Sequence, residues 1–124
     1  MSHTIDDDVI ITGDLTVDGC LTFTNAGSVT QITSITTSVT VNNCVGVITT
    51  VSSTLAGGSS ANFTVNNTTV TSSSGIILST QFDGSGSPYA LVRSVSSGSF
   101  IIRVRNNGGV ALDDTMKISF FVII

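Results

Sequence analysis

The sequence contains no Glu and no Trp, and only one Lys, one His, one Pro, one Tyr and two Cys among its 124 residues. Each shortage closes off a class of function. With four basic residues and a formal net charge of -4, the chain cannot gather the Lys/Arg cluster that neutralises nucleic-acid phosphates. With His3 as the sole imidazole, and that in a polar leader, no hydrolase triad can be composed. Ser is abundant, but none lies in a Gly-x-Ser-x-Gly phrase. Paired carboxylates for glycoside cleavage would have to come from eight Asp alone, on a chain with little room for a sugar groove. Two separated Cys and one His lack zinc spacing, and Asp6-Asp7-Asp8 lacks EF-hand spacing. The expectation is a protein with no catalytic residues, no metal and no cofactor.

Straight-chain helix formers are scarce as well, with only five Ala, whereas Val, Ile and Thr together supply 47 residues and Ser and Thr together 38. β-Branched side chains suit a pleated, half-buried surface, so the composition predicts an all-β fold. Disorder is disfavoured because 40% of residues are hydrophobic and the net charge is small. The opening MSHTIDDD has no basic region followed by an apolar run, and the longest apolar stretch, Phe120–Ile124, is five residues. Neither a secretory signal nor a membrane span is expected. Cys20 and Cys44 lie in different segments and are expected as buried thiols.

Two grammars follow one another along the chain. From Val9 to Phe23 every odd position is apolar or Gly, and from Thr12 onward the even positions are nearly all polar. Such alternation signals strand, but fully extended it would run about 50 Å, far beyond an ordinary strand. There is too little chain to fold over this apolar face, so identical copies are its cheapest cover. The reading is a trimeric stem with Ile11, Leu15, Val17, Leu21 and Phe23 inside and the Asp/Thr row outside. From about Val29 the pattern becomes short strands, expected at 29–33, 38–42, 45–51, 61–66, 75–82, 89–96, 99–106 and 115–123. Asn/Gly-rich turns punctuate them, with Ser97-Gly98 tight enough for a hairpin. Eight such strands predict an antiparallel β-sandwich, jelly-roll-like in type. The domains are then 1–8 as a flexible acidic leader, 9–27 as the stem and 28–124 as the sandwich.

Inward rows are expected at Val45/Val47/Val51, Phe63/Val65, Phe100/Ile102/Val104 and Met116/Ile118/Phe120/Val122/Ile124. The last strand is apolar on its other face too, at Phe121 and Ile123, which asks for a second subunit and makes these two residues candidate trimer contacts. Arg93, Arg103 and Arg105 gather on one sheet. They are expected to pair with Asp83, Asp113 or Asp114, within or between subunits, or else to contact an acidic patch on a capsid or tail protein. Asp113-Asp114 is expected to form the turn before the last strand.

The phrase VIITGDLTVDGCLTF resembles the stems of bacteriophage fibres and spikes. The phrases VTQITSITTSVTVN (29–42), GVITT (46–50), FTVNN (63–67), GSFIIRVRN (98–106) and KISFFVI (117–123) follow in the order seen in a β domain at the ends of virion structural proteins of tailed phages. One departure is Cys44, which stands where such domains carry a Pro-rich turn. The resemblance implies a trimeric component of a virus particle, but not its place on it; the leading expectation is a homotrimer on the capsid surface, made in the host cytoplasm. As a decoration or cement protein on the phage head, its partners would be its own copies and the major capsid protein, with no nucleic acid and no membrane. The alternative is the tip of a short fibre that binds host glycan, for which the single Tyr and absent Trp are a poor endowment.

Overall fold

The computed structural model describes residues 3–124. Among these every regular element is a strand: β1 (Gly27–Thr30), β2 (Val39–Thr40), β3 (Val45–Thr49), β4 (Ser60–Asn66), β5 (Gly75–Gln81), β6 (Pro88–Ser96), β7 (Ser99–Asn106) and β8 (Lys117–Ile123). They form two four-stranded sheets, ordered β1-β3-β8-β5 and β2-β4-β7-β6. The sheets face each other across one core, as in a β-sandwich. The two central strands meet there, with the Phe100 and Phe120 rings 5.8 Å apart between centroids. Each expected strand is found, although the second shrinks to two residues and the third ends at Thr49.

The side chain of Gln31 explains where β3 stops. It is buried, and its Oε1 accepts from the Val51 N–H at 3.3 Å. Its Nε2 donates to the carbonyls of Ile35 and Thr37 at 3.0 and 2.8 Å. One amide side chain thus serves backbone groups that a neighbouring strand would otherwise satisfy. The tight turn lies between β6 and β7, where Ser96 pairs with Ser99 and Gly98 takes a φ of 84°. Glycine enters that left-handed region without a steric penalty.

The sheets are mixed, which corrects the antiparallel expectation. β1 runs parallel to β3, and β2 parallel to β4, while the remaining neighbours are antiparallel. The cause is the chain path. From β1 to β6 successive strands alternate between the two sheets, so a strand returns to its own sheet only after visiting the other. Two reversals restore the original direction.

The inward rows of β4, β7 and β8 follow the alternation: Phe63 and Val65, then Phe100, Ile102 and Val104, then Met116, Ile118, Phe120 and Val122 are buried. Two expected assignments fail. Ile124 lies beyond the last strand pair and is 79% exposed. In β3 the inward residues are Gly46 and Ile48, continued by Thr50, whereas Val45, Val47 and Val51 are only half-buried. Gly46 pairs with Phe120, and a Cβ there would lie 2.7 Å from the Phe120 ring. The bulky ring therefore needs a strand neighbour without a side chain, and this sets the parity of β3 against its hydrophobicity.

Buried polar groups complete the packing, and among the described residues every buried side-chain nitrogen or oxygen has a partner. Asn106 is fully buried at the end of β7. Its Nδ2 donates to the carbonyls of Leu55 and Val110 at 3.0 and 2.6 Å, and its Oδ1 accepts from Ser87 and Gly108 N–H at 3.2 and 3.1 Å. Four backbone groups from three loops thus converge on one amide. Asn106→Ala orphans them and is expected to destabilise the fold by about 2–4 kcal/mol in urea denaturation. Asn106→Asp turns a donor into an oxygen facing two carbonyls and should cost at least as much. Asn107→Ala, at an exposed neighbour, is expected to stay within about 0.5 kcal/mol of the parent.

Candidate functional site: an apolar outer face and an exposed arm

β8 alternates apolar residues to both sides. Ile118, Phe120 and Val122 enter the core, while Phe121 and Ile123 point outward and are 37% and 48% exposed. Register places Val45 of β3 and Ile77 of β5 on either side of Phe121. Ile77 is 56% exposed, so an apolar patch runs across the outer face of this sheet. Large apolar groups gathered outside a core mark interaction surfaces more than scattered ones do.

Residues 3–26 form no strand in the single chain, and nearly all of their side chains are exposed. The expected stem residues Ile11, Leu15, Val17, Leu21 and Phe23 remain between 43% and 62% exposed. This arm joins the patch at its base. The Phe23 ring packs edge-on against Phe121, with centroids 5.3 Å apart and planes at 74°. Such an edge-to-face pair places the positive ring edge against the negative ring face. Phe23 thus joins the base of the alternating arm to the apolar outer face of β8.

Asparagines hold the base of the arm, and sequence reasoning missed them. Asn43 Nδ2 donates to the Asn25 carbonyl at 2.9 Å, and Asn67 Nδ2 donates to the Asn43 carbonyl at 2.8 Å. Asn42 Oδ1 accepts from the Thr68 N–H at 3.0 Å. The pairs Asn42-Asn43 and Asn66-Asn67 were the available signal, since short amide side chains readily bond nearby backbone. Between these residues and Phe23 opens a pocket of about 450 Å³, lined also by Thr22, Cys44 and Val45. Both Cys20 and Cys44 are exposed free thiols, which corrects the expectation that they are buried. Cys20 lies on the arm and Cys44 on the loop entering β3, so neither reaches the core.

The three arginines do share one sheet, on β6 and β7, as expected. Arg103 and Arg105 alternate with buried Ile102 and Val104 and so face outward. Within the chain their partners are neutral, so the pairing with Asp expected inside one subunit is not made. Arg103 Nε donates to Asn62 Oδ1 and Arg105 Nη1 to Ser60 Oγ, both at 3.3 Å. Asp113 instead accepts from the Ser85 N–H at 2.6 Å and Asp114 from the Thr115 N–H at 2.7 Å. These two carboxylates shape the loop between β7 and β8, where Asp113 also ties in the loop before β6. Arg93 sits at a register shift between Val92 and Ser94, an irregularity that the sequence did not announce.

Because both thiols are exposed, a thiol reagent is expected to titrate two cysteines per native chain without denaturant. Titration of fewer than one would contradict their placement. Comparison of the chain with known protein families, with curated proteins and with solved structures finds no match.

Proposed function

We propose that this chain is a non-enzymatic structural protein of a virus particle, assembled as a homotrimer and decorating or cementing the head. The observation that carries the assembly is the apolar surface from Phe23 through Phe121 to Ile77 and Ile123, together with the exposed alternation of residues 9–23. A three-fold arrangement lets three arms cover one another's odd-numbered side chains, closing a sheet that one chain cannot close. Many weak contacts repeated over three copies then give avidity on a repetitive surface. The virion assignment draws on the resemblance of the ordered phrases VIITGDLTVDGCLTF, VTQITSITTSVTVN and GSFIIRVRN to phage stems and terminal β domains. The absence of catalysis draws on the single His and the missing Glu. In this arrangement the partners are further copies of the chain and the major capsid protein.

The test is mass in solution and copy number in particles. Light scattering of the native protein should give three chains. Leu15→Asp with Leu21→Asp puts charge into the arm's apolar row and should yield a monomer whose thermal midpoint shifts little, because neither residue belongs to the core. A native monomer sinks the trimer. Hundreds of copies per purified particle fit head decoration, whereas a few dozen at the tail tip would favour the glycan-binding fibre.

A further inference from the structure

The charges of the chain are segregated. Arg93, Arg103 and Arg105, three of its four basic residues, lie on β6 and β7. None of the four strands β2, β4, β6 and β7 carries an Asp. Since the outward guanidiniums of Arg103 and Arg105 bond only neutral Asn62 and Ser60 there, their charge is not cancelled on that face. Five of the eight aspartates, by contrast, fall within residues 6–18 of the arm, and all five are exposed.

Spacing matches as well as sign. Arg103 and Arg105 are two residues apart on one side of a strand, a separation of about 6.6 Å along the backbone. Asp6 and Asp8 stand two apart in the leader and take about the same separation in extended chain. The base of the arm is fixed on the opposite sheet, through Phe23 on Phe121 and Asn25 on Asn43. Within the chain Asp6, Asp7 and Asp8 are exposed while Arg103 and Arg105 bond Asn62 and Ser60, so a carboxylate partner for this face would come from another molecule.

We propose that the outer face of the β2-β4-β7-β6 sheet, through Arg103 and Arg105 with Arg93 beside them, receives the Asp6–Asp8 leader of another copy and so links one assembly to the next. The proposal rests on the arm-mediated assembly above, which brings three leaders together in one particle. The contact is heterologous, leader to face, so the rotation between copies decides whether it closes into a ring or propagates. Single exposed pairs of this kind are weak and salt-sensitive, and three leaders per trimer make the link avid. An acidic polysaccharide would satisfy the same guanidiniums, but the leader is the carboxylate source that this chain itself carries at the matching spacing.

Sedimentation velocity of the full chain at about 20 mM and about 500 mM NaCl tests this. Species larger than the trimer are expected at low salt and should dissolve to trimers at high salt. Arg103→Asp with Arg105→Asp, or Asp6→Arg with Asp8→Arg, should each weaken the larger species at least about tenfold while leaving the trimer intact. Combining all four substitutions should restore it, an outcome that a folding defect cannot produce. Absence of species beyond the trimer overturns the link and leaves the trimer standing. Larger species that survive the arginine substitutions also overturn it. Monomers at high salt that still associate at low salt in an Arg- and Asp-dependent way support the link and sink the trimer. Arginine-dependent retention on polygalacturonate, with arginine-independent self-association, would assign the face to a polysaccharide and overturn the proposal.

Discussion

The two-sided hydrophobicity of β8 is the constraint on which the rest depends. Its inward residues Ile118, Phe120 and Val122 meet Ile48, Phe100 and their neighbours and hold the two sheets together. Its central place in the β1-β3-β8-β5 sheet forces β3 to present Gly46 to the Phe120 ring. Its outward residues Phe121 and Ile123 stay partly exposed on the sandwich, and among the described residues the ring packed against Phe121 is Phe23 from the arm. One strand thus builds the fold with one row and leaves an apolar row on the surface with the other.

The scarcity of ionisable groups gives the few that exist more weight. In a protein whose rows are mostly Ser, Thr, Val and Ile, cohesion of the fold rests on apolar burial and backbone hydrogen bonds. Aspartates on the arm and arginines on the far sheet make the chain electrically two-ended. Buried amides do the internal polar work: Gln31, Asn67 and Asn106 replace ladder hydrogen bonds where loops cross the ends of the sheets. Neutral amides suit that role, because burying a charge in the same places would cost far more than burying a satisfied amide.

Much of this was legible in the sequence, and the parts that were not have physical causes. Strand positions and the inner rows of β4, β7 and β8 follow from alternation and turn residues, which are local. The doubly apolar KISFFVI could be read the same way. The parallel pairs could not, since they depend on how the chain crosses between sheets. β3 misled because hydrophobicity favours its Val row, while packing against Phe120 demanded the Gly46 parity. The arginines were correctly gathered, but within the chain no Asp faces them, because the register places Asn62 and Ser60 opposite Arg103 and Arg105. Both cysteines looked like core residues by type and are surface residues by position.

Amide hydrogen exchange across residues 9–23 of the native protein is the most direct measure of whether the arm is an assembly element. Burial of the arm between copies requires these amides to exchange as slowly as those of β7 and β8, and to lose protection on dilution together with the loss of trimer mass. Rapid exchange of the arm in a sample with slow β7 and β8 amides, at every concentration, would contradict it.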